Sequence, residues 1–304
     1  MLLKNINIPY IKLPFFVFVF LLFSCLPFSE AFSAMTIDST TDMDFGQVVS
    51  GSSSSILTLD LVNTVTVDSG DATLPSFSTP SSGSLSLSGA KKSKAVTFVC
   101  QSTSPPSGVT YGTLAPASVD ADASGAVNTA LGITITINAS LSSGTYNGTC
   151  TVLATDSTSS PQTDTAVVNV LLEIVAPASV DPETTALAFG SILPDTSGGS
   201  IDVSSAGAIS NNSGTATFFG GHSAAQFNVT GHANNTVYIT YSSGDVLTGP
   251  GTDMGLGTFT DNTTGGALTL SSGSATLNVG ARLTYSASQT AGNYSGTYTV
   301  NANY

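Results

Sequence analysis

The sequence predicts an all-β protein of two tandem antiparallel sandwich domains, and three observations carry that reading. Charged residues make up only 8% of the chain while Ser, Thr, Gly, Ala and Val dominate, a composition that suits short strands and polar turns and gives amphipathic helices little to form from. No stretch keeps a helical apolar period for two turns, whereas period-two alternation recurs throughout. The third observation is an internal repeat. Residues 132–152, GITITINASLSSGTYNGTCTV, align without a gap to residues 280–300, GARLTYSASQTAGNYSGTYTV, at an offset of 148, with ten of 21 positions identical. Upstream, Met43-Asp-Phe45-Gly46-Gln-Val48 is echoed by Leu187-Ala-Phe189-Gly190-Ser-Ile192, so Phe-Gly and Gly-x-Tyr lie 101 residues apart in one copy and 105 in the other. Units of that length are domains rather than solenoid repeats.

Residues 1–34 read as an export signal. Lys4 and Lys12 precede an apolar run, LPFFVFVFLLFSCLPF, that is too short and too poorly flanked to span a membrane stably. Small-residue cleavage patterns at Ser29-Glu-Ala31 and Ala31-Phe-Ser33 make Met35 the first structured residue. Leu22-Phe-Ser24-Cys25 is similar to a lipoprotein box, but its central Phe and the apolar residues after Cys25 fit poorly, so Cys25 is expected to leave with the signal. Removing Lys4, Lys12 and Glu30 from 6 basic and 19 acidic residues leaves 4 and 18, a formal charge of −14. Nucleic acid and anionic membrane surfaces are thereby excluded as partners, since both reward clustered cations. The cluster Lys91-Lys92-Ser-Lys94 reads as a solvated strand edge that discourages aggregation.

In the first domain, residues 35–156, strands are expected at 55–67, 83–87, 95–101, 132–139 and 146–154. After a polar, Pro-containing linker at 157–165, the second domain, 166–304, has candidates at 186–192, 200–203, 214–219, 227–229, 236–241, 267–270, 274–279, 282–286 and 294–301. Strands this short, bounded by turn residues, predict sandwiches of immunoglobulin-like type. Residues 166–175 present Val168, Val170, Leu172 and Ile174 on one face and can close the first domain or open the second; the expectation taken is the second, whose sheet the segment would fill in cis, leaving a monomer.

Cys100 and Cys150 are the only other cysteines, and export places them where thiols oxidise. Cys100 shares a face with Val96 and Phe98, and Cys150 with Tyr146 and Val152, so both sulfurs point into one core and a disulfide is expected. Tyr298 stands in the second copy where Cys150 stands in the first.

The Phe-Gly openings, the Gly198-Gly199 turn, Phe227-Asn-Val-Thr-Gly231, Val279-Gly280 and the closing Gly292-Asn-Tyr294-Ser-Gly296-Thr297-Tyr298 through Tyr304 together resemble a bacterial family. It is domain of unknown function 4402, itself similar to spore-coat protein U and chaperone-usher pilin subunits. The resemblance covers 170–304 well and 36–156 as a more divergent copy. It implies a pilin-like fold and an exported, fimbrial-type structural or adhesive protein of a Gram-negative bacterium, extracellular, surface-bound or periplasmic. The implied partners are a periplasmic chaperone or other surface proteins, met by sheet-edge pairing. Tyr298, Val300, Ala302 and Tyr304 alternate like the strand pilins offer to a chaperone, although Tyr304 itself is the last residue. Residues 35–41 lack the alternating apolar arm of a polymerising pilin.

No enzyme signature is present: there is no Gly-x-Ser-x-Gly, no His-Glu-x-x-His and no phosphate loop. His222 and His232 with Asp245, Asp253 and Asp261 match no ligand spacing, and Asp120-Ala-Asp122-Ala-Ser124-Gly125 begins like a calcium loop but has Leu131 at position twelve. No catalytic, cofactor or metal residues are therefore assigned. The motif residues are structural: Phe45, Gly46, Gly144, Tyr146, Phe189, Gly190, Gly292, Tyr294, Gly296 and Tyr304. A secreted glycan-binding module is the alternative reading, with Tyr111, Tyr238 and Tyr241 as stacking residues in a chain without Trp.

Overall fold

Alternation along a pleated strand puts every second side chain on one face, and here it assembles two sandwiches. The computed structural model describes residues 34–304, of which Met35 to Tyr304 form one compact unit. The expected signal and Cys25 lie outside the described residues, apart from Ala34. Among the described residues no helix is long and apolar enough to cross a membrane. Met35 is buried and its backbone N–H donates to Gln162 Oε1 at 2.7 Å.

In the first sandwich, one sheet runs in the order Thr36–Thr41, Gly83–Ser88, Val127–Ile137, Ser55–Leu59, Val65–Ser69, with Val109–Ala115 also paired to Val127–Ile137. The other runs Gly144–Thr145, Thr163–Ile174, Gly148–Asp156, Ala95–Ser104, Ser118–Asp120, and Met43–Val48 joins it parallel to Thr163–Ile174. Alternate residues of both sheets, Ile133, Ile135 and Leu57 from one and Val152, Val168 and Val170 from the other, share a single continuous core.

The second sandwich repeats this plan. One sheet runs Ser179–Val180, Ala225–Thr230, Ser274–Tyr285, Gly199–Val203, Ile209–Ser213, with Met254–Asp261 also on Ser274–Tyr285 and Asp245–Leu247 on Met254–Asp261. The opposite sheet has three strands among the described residues, in the order Ala267–Thr269, Thr236–Tyr241, Val300–Asn303. The equivalence reaches atomic detail: a Cβ on Gly132 would lie 2.2 Å from Leu59 O, and one on Gly280 would lie 2.0 Å from Val203 O, so both copies need glycine where the long strand crosses its neighbour.

Four expectations are corrected. The segment given to the second domain belongs to the first: Thr163–Ile174 pairs antiparallel with Gly148–Asp156, from Gly148 opposite Val170 to Thr155 opposite Thr163, and parallel with Met43–Val48. Val168, Val170, Leu172 and Ile174 are buried in the first core. Of residues 157–165, read as a linker, 163–165 already belong to the second strand of that pair and 157–162 form its hairpin, because the buried Asp156 carboxylate accepts from Thr158 Oγ1 at 2.8 Å and Gln162 N at 3.0 Å. The run 55–67 is two strands, not one. Asp60 Oδ1 accepts from the Val62 and Thr64 backbone N–H groups, both at 2.8 Å, and Asn63 adopts φ +65°, which folds the run into a hairpin. Finally, 294–301 is not one continuous strand: Ser295 forms an isolated bridge with Thr248, and the last strand begins at Val300.

Candidate functional site

The repeated motifs build the site. Phe189 and Gly190 open the second sandwich, Gly190 at φ +70° as Gly46 is at +65°, and a Cβ on Gly190 would lie 2.1 Å from Gly220 O. At the other wall, Tyr294 Oη donates to Thr290 O at 2.9 Å, as Tyr146 Oη donates to Ser142 O at 2.9 Å, a tyrosine corner that fixes where the last strand begins. Gln289 Nε2 donates to Tyr294 Oη at 2.8 Å and braces this corner.

Between the 187–196 and 288–298 segments lies a groove of about 830 Å³, floored by Met254, Leu256 and Leu283. In the first sandwich the same position is filled. There Thr163–Ile174 lies between Met43–Val48 and the Tyr146 corner: Tyr146 N donates to Leu172 O at 2.7 Å, Gly144 stands opposite Ile174 and Cys150 opposite Val168. Among the described residues no strand takes that place in the second sandwich, and Val300–Asn303 is the edge of its sheet.

Burial records the difference. Met43, Phe45, Val48, Cys150 and Val152 are each 0% exposed. Their counterparts Leu187, Ile192, Tyr298 and Val300 are only partly buried, and Phe189 is 8% exposed. The second sandwich also has two separate apolar clusters, one around Leu283 and one around Leu277, where the first has one. Beside the groove, Leu193 and Phe219 project at 60% and 67% exposure.

The rim is acidic. Asp195 accepts from Ser197 N at 2.9 Å and from Thr215 N and Oγ1 at 3.0 and 2.8 Å, and these bonds, the Ser197 N–H first, hold its carboxyl below the usual carboxylate range. Burial, then the charge of Glu183, pushes the Tyr298 phenol well above its ordinary value, and its hydroxyl is buried without a hydrogen-bond partner.

Cys100 and Cys150 form the disulfide the sequence implies, with S–S 2.02 Å and Cα–Cα 5.5 Å. The second sandwich fills the corresponding region with aromatics: Phe259 lies 4.8 Å from Tyr241 and 5.0 Å from Tyr298, centroid to centroid. Tyr241 Oη donates to Asp261 Oδ2 at 2.7 Å.

The remaining candidates lie elsewhere. Tyr304 sits at the junction of the sandwiches: its hydroxyl accepts from His232 N and donates to Ala176 O at 2.9 Å, and its ring meets Phe77 edge-on at 5.2 Å. His232 stacks on Phe77 at 5.9 Å, while His222 pairs with Phe189 in a short ladder. Asp122 caps its own turn, accepting from Ser124 N and Oγ and Ala126 N. Among the described residues no three His, Cys, Asp or Glu are placed to hold a metal ion. Of the tyrosines named for sugar stacking, Tyr111 packs against the first core, and Tyr238 and Tyr241 point to opposite faces of Thr236–Tyr241, so they form no common platform. Sequence reasoning missed the groove floor. Met254 and Leu256 do alternate, but the glycines Gly255 and Gly257 between them obscure the strand.

Residues 180–304 match the family model described as "Domain of unknown function (DUF4402)". No curated protein matches the chain. Two solved structures are similar at a distance. One is a chaperone-tip adhesion subunit pre-assembly complex from archaic chaperone-usher Csu pili of Acinetobacter baumannii, at 9% identity and TM-score 0.27, covering 89% of this chain and 100% of that one. The other is a chaperone-tip adhesin complex of CFA/I fimbriae biogenesis, at 12% identity and TM-score 0.22, covering 87% of this chain and 91% of that one. Likenesses this distant say nothing of the chain's own role.

Proposed function

We propose that this chain is an exported, non-catalytic structural or adhesive protein of pilin-like type, joined to a partner through the groove of its second sandwich. The observation that carries the reading is the contrast between two copies of one fold. The first is closed by Thr163–Ile174, while the second, among the described residues, keeps a groove of about 830 Å³, floored by Met254, Leu256 and Leu283, beside a free sheet edge. A free edge offers unpaired N–H and C=O groups as well as apolar surface, which is the combination strand addition uses. A periplasmic chaperone or another surface protein supplies such a strand. The acidic surface and the export signal read from the sequence fit an envelope location. Fractionation of the producing bacterium with protease treatment of intact cells tests the reading: the chain is expected in the envelope or outside it, and recovery in the cytoplasm refutes it.

A further inference from the structure

We infer that the junction of the two sandwiches is a proton-operated clamp: a protonated His232 ties the second sandwich to Glu173 of the first, and loss of the proton loosens the tie. His232 lies in the 231–235 turn of the second sandwich, and its Nε2 stands 4.0 Å from Glu173 Oε1 on the closing strand of the first. The two side chains are 30% and 38% exposed, so the proton exchanges with solvent. Two further contacts hold the ring in place. It stacks on Phe77 of the first sandwich with centroids 5.9 Å apart and planes 13° from parallel. Its backbone N–H donates to the hydroxyl of Tyr304, which in turn donates to Ala176 O at 2.9 Å. At 4.0 Å a neutral imidazole is beyond hydrogen-bond reach of the carboxylate and gains little from it, whereas an imidazolium gains an ion pair.

The surroundings of the ring are short of donors. Gln47, opposite Glu173 in the parallel pair, donates Nε2 to Glu173 Oε2 at 2.9 Å, and Gln47 Oε1 is buried without a hydrogen-bond partner. A carboxylate and an orphaned carbonyl thus share one amide, and an imidazolium, with an N–H on each nitrogen, adds the donors that are lacking. The other carboxylates on the elements meeting here are engaged elsewhere. Asp44 Oδ1 accepts from Gly46 N and Asp164 Oδ2 from Ile37 N, both at 2.7 Å, Asp181 Oδ2 accepts from Asn228 Nδ2 at 2.8 Å, and Glu183 acts on Tyr298. Burial pushes the Tyr304 phenol above its ordinary value, so it stays neutral. Between about pH 5 and 8 the change of charge at the junction therefore belongs to His232. A histidine that meets a carboxylate only in the docked arrangement binds its proton more tightly there. The clamp is accordingly closed below the ordinary histidine value of about 6.5 and opens as pH rises past it.

The test uses the purified full chain and nuclear magnetic resonance at about pH 5.5 and about pH 8, either side of histidine titration. The Phe77 ring signals should follow the protonation of the His232 ring stacked on them. The protection factor of the His232 amide, corrected for the intrinsic pH dependence of exchange, reports its bond to Tyr304. It should fall by about twofold to fivefold at the higher pH, the range a partly exposed ion pair supplies. In Glu173→Gln and in His232→Gln the protection factor at position 232 should no longer change with pH, while Gly148–Asp156, paired with the strand that carries Glu173, keeps the protection it has in the parent. Equal protection of the parent amide at both pH values overturns the clamp, as does a pH response that survives in Glu173→Gln. Survival of the response in His232→Gln assigns it to His222 and overturns the clamp as well.

Discussion

Replacing Val170 and Leu172 with Asp is expected to undo the first sandwich and spare the second. Both side chains are nearly fully buried, at 2% and 3% exposure, in the core that also holds Met43 and Val152. Losing each apolar side chain removes about 1.5–3 kcal/mol of transfer free energy, so about 3–6 kcal/mol for the pair. Each carboxylate placed there without a partner adds a further penalty of several kcal/mol. The sum rivals the roughly 5–15 kcal/mol that holds a whole domain together. Hydrogen exchange read by mass spectrometry resolves which half responds. Met43–Val48 and Gly148–Asp156, the two longer of the strands paired with the altered one, should lose protection, while Ala225–Thr230 and Ser274–Tyr285 keep theirs. Loss of protection confined to Ser274–Tyr285 would refute the assignment of this strand. The milder Leu172→Ala, costing about 2–5 kcal/mol through its cavity, should show the same spatial pattern at reduced size.

Replacing Cys100 and Cys150 with Ser opens a loop of 50 residues and should lower stability by about 4 kcal/mol on the chain-entropy model, read by denaturant titration; no change would contradict a stabilising role. Asp71, Asp122, Asp195 and Asp261 all have depressed carboxyl pKa values, the first through the Ser53 and Ser52 hydroxyls. Stability from a depressed carboxyl is present above about pH 4 and is lost as pH falls through the folded value. The melting temperature should therefore drop below about pH 4, and less steeply in Asp71→Asn. Tyr241 and Tyr298 are shifted upward, chiefly by burial, so stability should also fall as pH rises past about 10, where the unfolded phenols ionise first. Tyr304→Ala removes the edge-on contact with Phe77 and the bonds to His232 and Ala176, and should free the second sandwich to unfold at a lower temperature than the first in calorimetry.

Repetition and alternation made the strands that carry them legible, because face and period are properties of one segment. Pairing is a property of two segments, and there the sequence misled. Val168 to Ile174 announce a buried face without saying which core receives it, and the proximity of 176–190 in the chain favoured the wrong neighbour. Parity did succeed for Cys100 and Cys150, since both strands already carried core residues on the same face. Local chemistry also hid elements: Leu61 and Val62 kept 55–67 looking continuous although Asp60 turns it, and Gly255 and Gly257 masked Met254–Asp261. The groove itself had no local signal, because it is defined by what lies between 187–196 and 288–298 rather than by either segment.

The central claim is that the two copies differ at one edge, and amide hydrogen exchange measures that edge directly. In the isolated chain, the amides of Gly148, Cys150 and Val152, which face Thr163–Ile174, should be strongly protected. Those of Gly296, Tyr298 and Val300, their counterparts at the free edge, should exchange orders of magnitude faster. Equal protection of the two sets would contradict an open second sandwich.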